Sequence, residues 1–262
     1  MTKLLVAVLT SGEPEKLDRC LRSVNSNSSP HERIVVINTT DPDYPSLATE
    51  IALEHGWPVH ISESNGTPAR GKNSVLDHFR KTDSDWLFQI DGDDYISDGC
   101  LARLHYEIDQ NEFDAAVLIG SQILDPNGDQ REFAEGLSSD AVLQYAGKWT
   151  KEEHAIYLKF KKHLEQKTFD GDLLNRFLLM NRKIAEHRFN ETLAAAEDNL
   201  FYIQTADTYK VHPIDVKEDD FIYMYDQTTE GAFRRSLKDG KFLNDIRKIN
   251  SATALSQLWK VS

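Results

Sequence analysis

Four short strand-like runs are spaced through the first ninety residues, with helix-length segments between them. Leu4 to Leu9 is continuously apolar, as suits a parallel strand covered on both faces. Thr10-Ser11-Gly12 breaks the run, and Pro14 opens a helix where a missing N–H costs nothing. Leu17, Cys20, Leu21 and Val24 follow at i, i+3, i+4 and i+7, which predicts one buried helical face. Ile34 to Ile37 reads as the second strand. Ser46 to His55 reads as a helix with Leu47, Ile51 and Leu53 inward, ended by Gly56. Val59 to Ile61 is a third strand, Ser74 to Phe79 a helix with Val75, Leu76 and Phe79 on one side, and Trp86 to Ile90 the fourth strand. This alternation predicts an α/β fold with a mostly parallel, doubly wound sheet. Right-handed crossovers then bring the loops after the strands to one sheet edge, where such folds bind ligands.

The second half is less regular. Ala115 to Ile123 reads as a strand closed by a turn at Asp125-Pro126-Asn127-Gly128. Trp149 to Gln166 predicts a helix with Ile156, Phe160 and Leu164 inward. The short run Arg176 to Met180 fits strand or helix. Ala194 to Thr205 reads as a helix and Phe221 to Tyr225 as a strand. Lys238 to Trp259 reads as a helix or helix pair with Phe242, Ile246 and Ile249 on one face. The sequence contains no internal repeat, low-complexity tract or clear linker.

Charge and cysteine content narrow the functional classes. Among 262 residues, 43 Asp and Glu outnumber 30 Lys and Arg, a net charge of -13. That balance argues against nonspecific binding of nucleic acid or anionic membrane by the whole surface, while leaving room for a local basic patch. Cys20 and Cys100 are far apart in the chain, so neither a disulfide framework nor a zinc ribbon is expected, and a reduced cytoplasmic setting is the simplest expectation. The opening apolar run is too short for a signal peptide, and no stretch reaches the roughly 20 apolar residues of a membrane span. A soluble protein, or one peripheral at a membrane, is expected.

The fourth strand runs directly into Asp91-Gly92-Asp93-Asp94. An Asp-Gly turn needs only the first two of these residues. Three carboxylates so close together repel one another, and a divalent cation is the usual compensation. Hard oxygen ligands suit Mg2+ or Mn2+ rather than zinc. A calcium loop fits poorly, because no Glu closes the segment after Asp94.

Four blocks in order carry a family resemblance: "LLVAVLTSGEPEKLDRCLRSV", "SNGTPARGKNSVLDHF", "DGDD" and "RFNETLAAAEDNLFYI". The chain resembles a family 2 glycosyltransferase of the GT-A fold over roughly residues 3 to 225. The resemblance implies a Rossmann-like GT-A domain over residues 1–236 with a helical C-terminal extension over 237–262. It implies metal-dependent, inverting transfer of a sugar from a nucleoside diphosphate, with a UDP-sugar as donor and Mn2+ or Mg2+ as cofactor. Asp93 is then the main metal ligand and Asp91 lies by ribose and metal, while Asp94 matches the second Asp of the family's Asp-Asp ending. Either Arg70 or Lys72 stands beside the nucleotide, where a cation before a helix start suits phosphate. Thr10 and Asn73 join the nucleotide-sugar side, and Asn38 or Asp41 replaces the family's base-reading turn. Asp198 is the general base, supported by Glu197; a favourable acidic first turn is the structural alternative for that pair. His212 and Asp226 are candidates for a third metal ligand, and two waters are the alternative.

The acceptor has two readings, a glycan or a hydroxylated base in nucleic acid. Lys159, Lys161, Lys162, His163 and Lys167 make one helix basic, and from Arg234 to Ser262 seven Lys or Arg face two Asp, a net of +5. Solvated faces are the structural reading of these charges, and an anionic acceptor is the functional one. A nucleotide-sugar-binding or regulatory relative without transfer activity is the functional alternative.

Overall fold

The apolar run that opens the chain forms β1 (Leu4–Thr10), the centre of the larger sheet. The structure, a computed structural model, describes residues 2–125, 127–132, 142, 146–165, 176–216, 223–229 and 231–251. Pro14 opens α1 (Pro14–Asn25), and Leu17, Cys20, Leu21 and Val24 are buried together as their spacing requires. β2 (Glu32–Ile37), α2 (Tyr44–Glu54), β3 (Val59–Ile61), α3 (Pro68–Lys81) and β4 (Trp86–Asp91) complete the alternating half. Next come β5 (Tyr95–Ile96), α4 (Cys100–Gln110), β6 (Ala115–Ile119), β7 (Gln122–Leu124) and β8 (Gln130–Glu132). Then follow α5 (Lys151–Glu165), β9 (Leu179–Asn181), a 3-10 turn at Ile184–Glu186, α6 (Glu197–Thr205), β10 (Val211–Asp215), β11 (Tyr223–Asp226), α7 (Ala232–Lys238) and α8 (Lys241–Asn250).

The larger sheet has the order β10-β6-β9-β4-β1-β2-β3. Its pairings are parallel except at β9, which runs antiparallel between β4 and β6. Leu4, Val6 and Val8 pack with α1, α2 and α4 on one face. Leu5 and Ala7 pack with α3 and α6 on the other. A smaller sheet, β5-β11-β7-β8, lies beyond the end of β4. A third cluster joins α5 and α6 to α7 and α8 through Phe160, Leu200, Leu237, Phe242, Ile246 and Ile249.

Several expected elements shift, each for a local reason. α3 begins at Pro68 rather than Ser74, because Thr67 Oγ1 accepts the Arg70 N–H as an N-cap and Pro68 fills the first helical position. Arg70, Lys72 and Asn73 therefore lie on the helix, not in a loop before it. The expected strand Ala115 to Ile123 is two strands, since Gly120 takes φ 86° and hands the chain from the large sheet to the small one. Of the ambiguous run only its last two residues enter a strand, β9 (Leu179–Asn181), and α6 starts at Glu197 rather than Ala194. β10 had no apolar run to announce it; its Pro213 is tolerated at the sheet edge. Residues 221–222, Gln166, Lys167 and the chain beyond 251, with the side chains of His163 and Leu164, lie outside the described residues. Within them, no helix is long and apolar enough to cross a membrane.

The inward face of α2 is the clearest correction. Leu47 is 43% and Leu53 63% exposed, while Tyr44, Ala48 and Ala52 face the core and Ile51 is partly buried. Small alanines let α2 lie close against α1 and the sheet, so the buried face is the one that carries Tyr44, Ala48 and Ala52 rather than the one with the leucines. Leu53→Ala is expected to change stability by less than about 0.5 kcal/mol, as an exposed site should. Ala48→Leu is expected to cost about 1–3 kcal/mol through overpacking. Urea unfolding of the two variants checks both values.

Candidate active site

β1, β2 and β4 run parallel and end together, with Thr10 opposite Ile37 and Leu9 opposite Asp91. The chain leaves β4 through a turn pressed against β1. Gly92 N–H donates to the Leu9 carbonyl at 2.7 Å, and Asp94 N–H to the Asp91 carbonyl at 2.9 Å. A Cβ on Gly92 would lie 2.8 Å from Thr10 Cβ and 3.2 Å from the Leu9 oxygen. Glycine is thus required by close approach. Gly92→Ala is expected to cost about 1–3 kcal/mol in thermal or urea unfolding and to displace the acidic turn.

That turn places oxygens of Asp91, Asp93 and Asp94 within 4.8 Å of one another. Their surroundings differ. Asp94 is buried; its carboxylate accepts from Tyr223 Oη at 2.8 Å and Asp226 N at 3.1 Å, which ties β11 to the turn. Burial, together with the charges of Asp93 and Asp91, pushes the Asp94 carboxyl well up. Asp91 receives a two-pronged contact from Arg176, one arm at 2.9 Å. Burial alone would raise the Asp91 carboxyl, but Arg176 and Lys72 outweigh it and hold it below the ordinary value. Asp93 makes no ion pair among the described residues; Arg19 reaches only its carbonyl, at 3.1 Å, and burial and the Asp91 charge outweigh Lys16 to push its carboxyl up to about 6. A carboxylate without an ion pair, beside one held by Arg176 and one held by Tyr223, is an oxygen-rich donor set that suits a hard divalent cation.

A second acidic group faces the same edge from α6. Buried Lys72 donates to Glu197 Oε1 at 2.7 Å and, by a shorter contact, to Asp198 Oδ2. Burial alone would lower the Lys72 ammonium, but Asp198 and Glu197 outweigh it and raise it. Glu197 is pushed up by burial, against the pull of Lys72. Asp198 is more open, its side chain 26% exposed, and Lys72 holds only its Oδ2. Lys72 and Arg176 each interact with both Asp91 and Asp198, so the acidic turn and the acid pair share one charged site. Lys72→Met would leave Glu197 buried without its cation. An expected loss of about 3–5 kcal/mol in unfolding free energy follows from breaking a buried ion pair on one side.

The remaining sequence-derived residues divide by how far the fold already occupies them. Thr10 is buried and its hydroxyl bonds to Tyr44 Oη. Asn38 accepts from Ser62 Oγ at 2.9 Å and donates to the Thr67 carbonyl at 3.0 Å, bracing the start of α3. Asp41 is exposed and accepts the Asp43 N–H at 3.0 Å. Arg70 donates through Nε to the Glu63 carbonyl at 3.0 Å and lies 3.6 Å from Glu191. Asn73 is buried, donates to the Phe189 carbonyl at 3.0 Å and Glu191 Oε1 at 2.8 Å, and accepts Phe189 N–H at 2.9 Å.

Both candidates for a third metal ligand are committed elsewhere. Asp226 holds Lys16 at 3.1 Å, Arg19 by a shorter contact, and the Thr228 N–H at 2.8 Å. His212 bonds Glu107 at 2.9 Å and stacks on Phe113, on the edge strand β10. Arg176 and Tyr223 had no motif to mark them; Arg176 grips Asp91 and interacts with Asp198, and Tyr223 donates to Asp94.

The large mixed sheet flanked by helices, with its acidic turn at a strand end, has the fold of GT-A glycosyltransferases. S. aureus TarS 1-349 in complex with UDP-GlcNAc matches with a TM-score of 0.61 at 16% identity, over 95% of this chain and 65% of that one. The mannosyltransferase PcManGT from Pyrobaculum calidifontis, in complex with GDP-Man and Mn2+, matches with a TM-score of 0.53 at 14% identity, over 98% of this chain and 74% of that one. The family model for glycosyl transferase family 2 matches residues 5–189, and the chain belongs to that family. The uncharacterized glycosyltransferase EpsJ of Bacillus subtilis (strain 168) is 24% identical over 187 residues, 71% of this chain. This chain spans about half of that relative, 50% of its length.

Proposed function

We propose that this chain transfers a sugar, with inversion, from a nucleoside diphosphate to an acceptor hydroxyl. The observation that carries the proposal is the meeting of the Asp91–Asp94 turn and the Lys72–Glu197–Asp198 group at one sheet edge, with Arg176 interacting with both Asp91 and Asp198. Asp93 and Asp91 would hold a Mn2+ or Mg2+ ion, which when bound would offset the negative charge of the diphosphate leaving group. Asp198 takes the proton of the acceptor hydroxyl, on the face opposite the departing diphosphate. Lys72 grips Asp198 Oδ2 and so orients the carboxylate toward the acceptor. Glu197 fixes the other side of that ammonium. Thr10, Asn38, Asp41, Arg70 and Asn73 frame the nucleotide side, in part by shaping backbone rather than by direct contact.

The relatives supply two donors to try first, UDP-GlcNAc and GDP-mannose, because TarS and PcManGT are described with them. The test is release of UDP or GDP from a panel of such donors with Mn2+ or Mg2+, with and without chelator. Metal-dependent release supports the enzyme. Tight donor binding with no release in the presence of glycan and nucleic-acid acceptors would instead support a binding or regulatory relative. An anionic acceptor is the second reading to test, drawn from exposed Lys159 and Lys162 on α5 and Lys241, Arg247 and Lys248 on α8, the last three of which pair with Asp239, Glu153 and Asp245. On a polynucleotide with hydroxymethylated bases, transfer is expected to fall steeply between low and moderate salt. Salt-independent transfer to a neutral glycan would assign the acceptor to that class.

A further inference from the structure

The turn that precedes α6 is held from the far end of the chain. Ala196 occupies the N-cap position of α6 and offers no side-chain acceptor, so the helix that carries Glu197 and Asp198 lacks a cap of its own. Asp245, on α8 and 2% exposed, accepts the Ala194 N–H at 2.7 Å and the Ala195 N–H at 2.9 Å, both on Oδ2. Lys248, one helical turn on, lies 3.3 Å from Asp245 Oδ1 and donates to the Thr192 carbonyl at 3.0 Å. Leu193, Ala196 and Leu200 pack in the same cluster as Leu243 and Ile246 of α8. A buried carboxylate is costly unless its lone pairs are taken up, and here two backbone amides and one ammonium take them up. Those amides lie two to four residues before the carboxylate pair.

We propose that Asp245 is a positioning residue: from α8 it fixes the Leu193–Ala196 turn and thereby the placement of Asp198 against the acceptor. This rests on the reading of Asp198 as the base. The C-terminal helix pair is then part of the catalytic apparatus, acting through backbone amides rather than by touching substrate. A displacement of about 1 Å at a reacting group can cost about a hundredfold in rate, so a loose turn suffices to disable transfer without altering the donor side.

The test uses the full chain, as wild type, Asp245→Ala and Asp245→Asn. Amide hydrogen exchange gives the substrate-independent arm. In Asp245→Ala, protection across 192–198 is expected to fall about tenfold or more relative to peptides from β1 and β4. Asp245→Asn, which keeps a carbonyl oxygen for both N–H groups, should retain part of it and covers the case in which Asp245→Ala does not fold. Unchanged protection at Ala194 and Ala195 in both variants would overturn the proposal.

The second arm is UDP release from UDP-GlcNAc with Mn2+. There, kcat is expected to fall about 10- to 100-fold in Asp245→Ala with donor KM within about twofold, and Asp245→Asn to lie between. In an Asp198→Asn background, adding Asp245→Ala should change turnover by less than about twofold, because the two residues act as one unit. A multiplicative loss would mark Asp245 as merely structural and overturn the positioning role. Near-normal turnover of Asp198→Asn alone would overturn the assignment of the base, while the exchange arm still decides whether Asp245 anchors the turn.

Discussion

Asp198→Asn is expected to lower sugar transfer by about 10²- to 10⁴-fold, the usual contribution of a positioned general base. The amide keeps the shape of the side chain, and its oxygen can still accept from Lys72, so the turn around α6 should stand. What is lost is the ability to take a proton from the acceptor hydroxyl. With the donor proposed to sit across the site at Asp91 and Asp93, affinity for the nucleoside diphosphate should stay within about twofold. That pattern, kcat lowered with donor binding intact, marks an interaction made only in the transition state. Initial rates together with calorimetric titration of UDP or GDP measure both halves. Turnover within tenfold of wild type would remove Asp198 from the role of base. Equal losses in binding and turnover would instead place it on the donor side.

Asp93→Ala is expected to abolish metal-stimulated transfer, a loss of about 10²-fold or more given the several kcal/mol a bound cation supplies to a charged leaving group. Its effect on the folded protein should have the opposite sign. Asp93 is repelled by Asp91 and penalised by burial, so its carboxyl is raised to about 6. A carboxyl that holds its proton more tightly folded than unfolded costs stability once ionised. The cost develops as pH rises from the unfolded value of 3.8 through about 6 and persists above it. At pH 7 without added metal, Asp93→Ala should therefore melt at or above the wild-type temperature. With metal at a hundred times its Kd, wild type should gain about 2.7 kcal/mol and the variant should gain little. Melting curves with and without Mn2+ decide the matter. An equal metal-induced shift in both proteins would show that Asp93 is not the principal ligand.

What was legible in the sequence is what depends on neighbours along the chain. The buried stripe of α1 follows from four residues at helical spacing, and it is buried as written. The acidic turn follows from an apolar strand running into Asp91-Gly92-Asp93-Asp94, and it closes on the expected edge. α2 departs from its sequence pattern for the same reason. Leu47 and Leu53 are the obvious apolar candidates, yet Tyr44, Ala48 and Ala52 are the residues buried in the cluster shared with α1. Helical phase is set there by a surface more distant in sequence, which local hydrophobicity does not encode.

The site divides along the same line. Residue types at a strand end and a helix start were enough to mark Asp91, Asp93, Glu197 and Asp198 as chemical candidates. Their partners were not readable, because Lys72 meets Glu197 and Asp198 across more than a hundred residues, and Arg176 reaches Asp91 across 85. Asp94 looks like its neighbours in sequence but spends its oxygens on Tyr223 and the Asp226 N–H.

The sequence by itself determined the alternating sheet, the acidic turn and the family, since each is written in short-range pattern and residue type. Only the tertiary structure decided which carboxylates are ion-paired and which are not, and that α8 braces the turn before Asp198. Those outcomes depend on which charges folding brings within a few ångströms in a poorly solvated interior, where a single partner decides the state of a carboxylate.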